Sequence, residues 1–243
     1  MQYLTREERL LPLTSVYNIR DLGGYETQTG AYSKSHKYIR SGKMNRLTEV
    51  DRQYLKDYGI KVIIDLRSGY ERKKEPDVLE NDEDFDYYFV DLFNQEGASL
   101  IPRNLDIKDM GDLYCMMLDQ CEQGIKKVFE IFLDHPYEGI LFHCSAGKDR
   151  TGVISALLLD LVGCHEYDIV KDYSESYENN EPINDELEKD LEPGQTRFLY
   201  SEPLYMMKML NHLRENYGST SSYLAKLGFD EEKIEDLIEN FTF

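Results

Sequence analysis

Residues 139–163 constrain this chain more than any other stretch. Gly139-Ile140-Leu141-Phe142-His143 is a short apolar run, Cys144 to Asp149 is small and polar, and Thr151 to Val162 is apolar again and stopped by Gly163. A five-residue apolar run suits a buried strand, and the longer one before a glycine suits a buried helix. The segment therefore predicts strand, tight loop, helix. Two more strands are expected, at Ile60 to Leu66, which is β-branched, and at Phe85 to Leu92, which is aromatic. Helical periodicity fills the chain between them. Strands separated by helices give an α/β protein with a mostly parallel central sheet flanked by helices. Residues 165–243 read as a helical C-terminal part. With no internal repeat and no low-complexity linker, one domain over 1–243 is expected.

Finer expectations follow from local signals. Tyr25 to Ser41, with Gly30 between polar-aromatic segments, reads as a hairpin. Thr48 followed by Asp51 is a weak capping-box pattern, and Gly59 supplies that helix's stop. Apolar positions from Asp109 to Asp134 recur at helical spacing, and Gly124 is the expected break between two helices. Further helices are expected near 165–177, 183–190, 202–216, 219–227 and 230–240.

Charge excludes several classes of partner. The 243 residues carry 28 Lys+Arg against 47 Asp+Glu, a net charge of −19. Nucleic acid would be repelled by such a surface, and a polybasic membrane anchor is ruled out. No run of about 18 apolar residues occurs, so no transmembrane segment is expected. Met1 to Leu13 lacks the order of a signal peptide, so a cytoplasmic address is expected, with secretion left open if a signal has been removed. Cys115, Cys121 and Cys164 read as small hydrophobes, and no metal or other cofactor is expected because close Cys/His ligand pairs are missing.

The loop itself carries the chemistry. Five residues separate Cys144 from Arg150. In such a loop the backbone amides of Ser145, Ala146, Gly147, Lys148, Asp149 and Arg150 can turn inward as an anion-sized nest, at the positive end of the following helix. Arg150 can hold two phosphate oxygens with its planar fork. The same field lowers a thiol's pKa, which makes Cys144 a thiolate placed for in-line attack on phosphorus. No metal is required, because the loop supplies the positive charge.

The string His143-Cys144-Ser145-Ala146-Gly147-Lys148-Asp149-Arg150-Thr151-Gly152 resembles the signature loop of the cysteine-dependent protein tyrosine phosphatase superfamily. It is most similar to the atypical bacterial group with Gly-Lys-Asp-Arg in the loop. Asn18-Ile19-Arg20-Asp21-Leu22-Gly23-Gly24-Tyr25 and Ile64-Asp65-Leu66-Arg67-Ser68 match that group in the same order. The tail, with Tyr217-Gly218 and Tyr223-Leu224, matches more weakly. The resemblance implies hydrolysis of phosphomonoesters: phosphotyrosine, with phosphoserine and phosphothreonine or phosphoinositides and inositol phosphates as alternatives. Lys148 favours the wider range by analogy with lipid phosphatases. A phosphate-binding pseudoenzyme or adaptor is the competing class, opposed by intact Cys144, Gly147 and Arg150. A thiol-redox enzyme is a third, opposed by the helix between Cys144 and Cys164.

The resemblance also implies a structural role for His143, bonded to backbone near the loop. Thr151 is expected either to present its hydroxyl to the thiolate or to serve only the helix's first turn. Three candidates stand for the general acid that protonates the leaving oxygen: Asp149 in the loop, Asp91 after the aromatic strand, and then Asp65. The chain has no Trp, so the Trp-Pro-Asp acid loop of better-known relatives is absent. Arg20-Asp21 and Gly23-Gly24 read first as architecture. Thr27 to Thr48 has five cations and no acid, and either guides substrate or is a solvated hairpin. The acidic run Glu175 to Glu192 reads as a solvated face, or else as a lid or partner surface.

Overall fold

A computed structural model of the chain describes residues 3–93, 107–189 and 196–243. In chain order the elements are α1 (Arg6–Arg9), β1 (Arg20–Asp21), β2 (Tyr38–Ser41), α2 (Glu49–Asp57), β3 (Ile60–Asp65), α3 (Gly69–Lys74), β4 (Asp86–Phe89), α4 (Met110–Gln120), α5 (Glu122–Asp134), β5 (Gly139–His143), α6 (Arg150–Leu161), α7 (Glu166–Asn179) and α8 (Glu181–Lys189). A 3₁₀ turn at Thr196–Phe198 precedes α9 (Pro203–Tyr217), α10 (Thr220–Lys226) and α11 (Glu231–Phe241).

The described strands form one sheet in the order β1-β2-β5-β3-β4. Every pairing is parallel except β1 with β2. The expected α/β class is therefore observed. Side chains alternate across the two central strands as a strand's two-residue period requires. Val62, Ile64, Ile140 and Phe142 enter a large core with α4, α5, α6 and α9 to α11, while Ile63 and Leu141 enter a smaller one with Leu55 of α2, Leu79 and Phe85. Both faces of β5 and nearly all of α6 are buried. Each fully buried leucine of α6 contributes about 1.5–3 kcal/mol. The strand and helix that hold the polar loop are thus among the most deeply packed elements. No described helix is long and apolar enough to cross a membrane.

Several local expectations need correction. The hairpin expected over Tyr25 to Ser41 forms only in its first part, where Ser33 N bonds the Tyr25 carbonyl, Thr27 N bonds that of Ala31 and Glu26 bridges Tyr32, while β2 pairs with β1 and β5. Thr48 does cap α2, but the Asp51 carboxylate accepts from the backbone of Thr14 and Ser15, so there is no capping box. The break between α4 and α5 falls at Cys121, not Gly124. Gly124 serves close packing: a Cβ there would lie 2.8 Å from the Leu92 carbonyl oxygen. Helices α1 and α3 were not expected. Both begin with a full capping box, at Thr5/Glu8 and Ser68/Glu71. Residues 190–192 of the acidic run, and the end of the helix expected over 183–190, lie outside the described residues.

Candidate active site

Cys144 follows β5 directly, and Arg150 opens α6, so the loop between them sits at the carboxyl end of the central strand. Its shape is set by what holds its carbonyls. The Ser145 oxygen accepts from Lys43 N at 3.0 Å. The Ala146 oxygen accepts from Asn18 Nδ2 at 2.9 Å and Asn180 Nδ2 at 2.8 Å. The Gly147 oxygen accepts from Asn18 Nδ2 at 3.0 Å and Arg40 Nη2 at 2.7 Å. With three successive carbonyls tied outward, the amides are left to the inner side of the loop, which is the nest an anion needs. Gly147 has φ +65°, and a Cβ on it would stand 2.4 Å from the Ser41 backbone. Only glycine fits there.

The ties come from far along the chain. Asn18, itself at φ +57°, accepts from Arg20 Nη1 at its side-chain oxygen. Arg20 and Arg40 are both fully buried and both pair with Asp172 on α7. Burial opposes ionisation of Asp172, but the two guanidiniums outweigh it and hold its carboxyl well below the usual range. Glu175, next on the same helix face, pairs with Arg9. Four of the five cations between Thr27 and Thr48 are likewise engaged. Lys34 bonds the Glu239 carbonyl, Lys37 bonds those of His135 and Glu138, Arg40 holds the loop, and Lys43 pairs with Glu75. This stretch builds the fold more than it faces solvent, and the inner side of the acidic run does the same.

Cys144 is 2% exposed. Burial alone would raise its thiol, but the charge of Arg150 and the hydroxyl and N–H of Thr151 bring it below the ordinary value. The Thr151 hydroxyl is buried with no nitrogen or oxygen partner among the described residues, so it is free to turn to the sulfur. Arg150 is pinned along one edge: Nη1 and Nη2 donate to Glu71 Oε2 and Oε1 at 2.6 and 2.8 Å. Its Nε is a buried donor with no acceptor among the described residues. The side edge of the guanidinium is thus left unpaired at Nε among the described residues. Glu71 also accepts from Ser145 Oγ at 2.5 Å and from Ser68 N at 2.8 Å. Burial works against its charge, yet Arg150 and Ser145 hold its carboxyl well below the usual range.

His143 lies behind the nucleophile, with no exposure. Its Nδ1 faces the Cys144 carbonyl oxygen at 3.2 Å, and its Nε2 faces Asp77 Oδ2 at 3.2 Å and Asp65 Oδ1 at 4.0 Å. Both ring nitrogens thus face oxygen acceptors. Burial pulls the imidazole's pKa down, but Asp65 and Asp77 more than offset this and raise it. Buried behind Cys144 and facing its carbonyl, the ring braces the start of the loop.

The three acid candidates separate clearly. Asp65 is fully buried, grips Arg67 with both oxygens and accepts from Tyr87 Oη at 2.8 Å. It has no path to a substrate, which corrects its candidacy as acid. Asp91 accepts from Gly69 N at 3.3 Å and Phe93 N at 3.2 Å, holding the start of α3 and its own turn. Asp149 lies in the loop beside Arg150. Its Oδ1 accepts from Tyr114 Oη at 2.6 Å, and its Oδ2 carries no bond among the described residues. The expectation for the Lys148 side chain also needs correction. Its ammonium is buried, donates to the Phe198 and Tyr200 carbonyls at 2.5 and 3.3 Å, and faces Asp149 Oδ1 at 3.6 Å, which ties the loop to the tail.

Sequence reasoning missed Glu71, Asp77, Asp172 and Asn180. Ser68-x-x-Glu71 was a readable signal for the first. The others have no local signature.

Comparisons with known proteins agree with this geometry. A family model described as "Tyrosine phosphatase family" matches residues 11–243. A "Tyrosine-protein phosphatase" from Nostoc commune is 33% identical over 212 residues, covering 82% of this chain and 72% of that protein. A "Triple specificity protein phosphatase PtpB" from Mycobacterium tuberculosis is 25% identical over 268 residues, covering 91% of this chain and 95% of that one. With a buried thiol of lowered pKa, outward-tied carbonyls and an arginine fixed along one edge in one loop, and a family match over residues 11–243, the chain belongs to the tyrosine phosphatase family.

Proposed function

We propose that this protein hydrolyses phosphotyrosine, and phosphoserine or phosphothreonine as further substrates, through a phosphocysteine on Cys144. The observation that carries the reading is the arrangement around Arg150. Glu71 fixes its terminal edge, Nε remains a buried donor without an acceptor among the described residues, and the charge of Arg150 acts on the Cys144 thiol. An uncompensated buried donor in an anion nest fits a phosphate oxygen.

The reaction runs in two displacements. Cys144 Sγ attacks phosphorus, the P–O ester bond breaks, and the proton on Asp149 goes to the leaving oxygen. Loop amides and Arg150 stabilise the equatorial oxygens. Water then attacks the phosphocysteine, gives its proton to Asp149, and the S–P bond breaks. Thr151 and Arg150 receive the returning thiolate. Asp149 is preferred to Asp91 as acid because it stands in the loop with one oxygen free. Lys148, turned to the tail carbonyls, lends no support to a phosphoinositide preference.

A panel of phosphotyrosine, phosphoserine and phosphothreonine peptides and phosphoinositides tests this, with Cys144→Ser and Arg150→Ala beside wild type. Turnover is expected on phosphotyrosine and none in Cys144→Ser. Failure of wild type on every substrate would favour a phosphate-binding pseudoenzyme.

A further inference from the structure

Two buried tyrosines stand behind Asp149 with no part yet in the reaction. Tyr114 comes from α4 and Tyr173 from α7, at 0% and 1% exposure. Tyr114 Oη lies 2.6 Å from Asp149 Oδ1 and 2.7 Å from Tyr173 Oη. The rings meet edge to face at 5.6 Å. A phenol has one proton to give. While Asp149 is a carboxylate, Tyr114 gives that proton to Oδ1, and its own oxygen is left to accept from Tyr173. Burial first, and then the charge of Asp149, push both phenols well above the tyrosine range, so both remain donors at any working pH. Tyr173 is also fixed against the start of α6, where a Cβ on Gly152 would come within 3.2 Å of its ring.

We propose that Tyr114, oriented by Tyr173, is a positioning residue that decides which oxygen of Asp149 carries the transferable proton. The inference rests on the reading of Asp149 as general acid. With Oδ1 accepting from Tyr114 and facing the Lys148 ammonium at 3.6 Å, a proton arriving at Asp149 is directed to Oδ2. When that proton has gone to the leaving oxygen, the Tyr114 bond supports the carboxylate left behind. In the second displacement Oδ2 is again the atom that takes the proton from water. Two helices outside the phosphate loop thus set the direction of proton transfer within it.

The test uses the full chain and a series of aryl phosphates running from phosphotyrosine to esters of electron-poor nitrophenols. Asp149→Asn, Tyr114→Phe and Tyr173→Phe are compared with wild type. A good leaving group needs little protonation, so a lost acid is felt mainly with the poor ones. Read as kcat/KM, which reports the first displacement alone, Asp149→Asn is expected to lose about 100-fold on phosphotyrosine and far less on the nitrophenyl esters. Tyr114→Phe, missing one hydrogen bond worth about 1–1.5 kcal/mol, is expected to lose about five- to tenfold on phosphotyrosine and almost nothing on the best leaving group. Tyr173→Phe should show the same ordering with a smaller loss. A purely structural role would depress all substrates alike. Uniform loss or no loss in Tyr114→Phe, with Asp149→Asn still selective, overturns the tyrosine inference alone. If Asp149→Asn is itself unselective, the acid reading falls and the inference with it. Should Tyr114→Phe fail to fold, Tyr173→Phe, which leaves the Tyr114–Asp149 bond intact, decides by the same pattern.

Discussion

Glu71→Gln is the perturbation that probes the site's electrostatics best. The carboxylate accepts from Arg150 Nη1 and Nη2, from Ser145 Oγ, and from Ser68 N and Oγ. An amide keeps one oxygen and turns its NH2 toward donors on the other side, so at least one bond to Arg150 is lost along with the negative charge. A hydrogen bond to a charged group is worth about 1.5–3 kcal/mol, and the nearly buried guanidinium is left undercompensated, so a total of about 2–4 kcal/mol is expected. For a chain of this size each kcal/mol moves Tm by about 2–4 °C, which gives a drop of roughly 4–16 °C. Thermal unfolding with and without inorganic phosphate reads this out. The bound anion replaces the missing charge beside Arg150, so phosphate should raise the variant's Tm more than the wild type's. With Arg150 free to leave its pose, kcat/KM on phosphotyrosine should fall about 10- to 100-fold. A Tm within about 2 °C of wild type together with unchanged kcat/KM would show that Glu71 does not hold Arg150, and the argument from the arginine's free edge would fail.

Three further outcomes are expected. Gly147→Ala places a Cβ into the Ser41 backbone at a positive φ. It should abolish turnover and vanadate binding while far-ultraviolet circular dichroism is kept; retained activity would show that the loop is not held as described. Lys148→Met removes the loop's bonds to the Phe198 and Tyr200 carbonyls, so protease cleavage near residues 196–200 should speed up with stability lowered by about 1–2 kcal/mol; unchanged cleavage would contradict the tie. Acid should destabilise the fold. Burial opposes the charge of Asp65, but His143 and Arg67 bring its pKa down to about 2. A carboxyl depressed on folding contributes stability that is complete above its unfolded value and lost as pH falls through its folded value, so Tm should drop as pH goes from about 4 toward about 2. Glu71 and Asp172 act in the same direction. A Tm that stays flat down to about pH 3 would refute this ledger of paired carboxylates.

How much of this was legible in the sequence depended on the distance between interacting residues. Cys144 and Arg150 sit in one loop, and the strand and helix around it follow from the apolar runs on either side. Thr48 and Gly59 marked α2 because caps act within a turn. Glu71 was readable as a cap but not as the partner of Arg150, since that contact spans 79 positions. Asn180 reaches the loop, and Asp172 reaches the Arg40 that holds it, only because α7 folds back against α6. Gly124 misled for a related reason: a glycine kept for close packing looks in sequence like one kept to break a helix. Lys148 misled because a lysine in an anion loop suggests a ligand, while nearby tail carbonyls had the stronger claim on its charge.

The central claim is covalent chemistry at Cys144, and trapping the intermediate tests it most directly. Wild type and Cys144→Ser would be mixed with a fast-leaving aryl phosphate, quenched in acid within the first turnover, and mapped by peptide mass spectrometry. The account predicts one phosphoryl group on the peptide containing Cys144, formed before free phosphate appears, and neither adduct nor turnover in Cys144→Ser. A phosphoryl group on any other residue, or phosphate release surviving in Cys144→Ser, would contradict it.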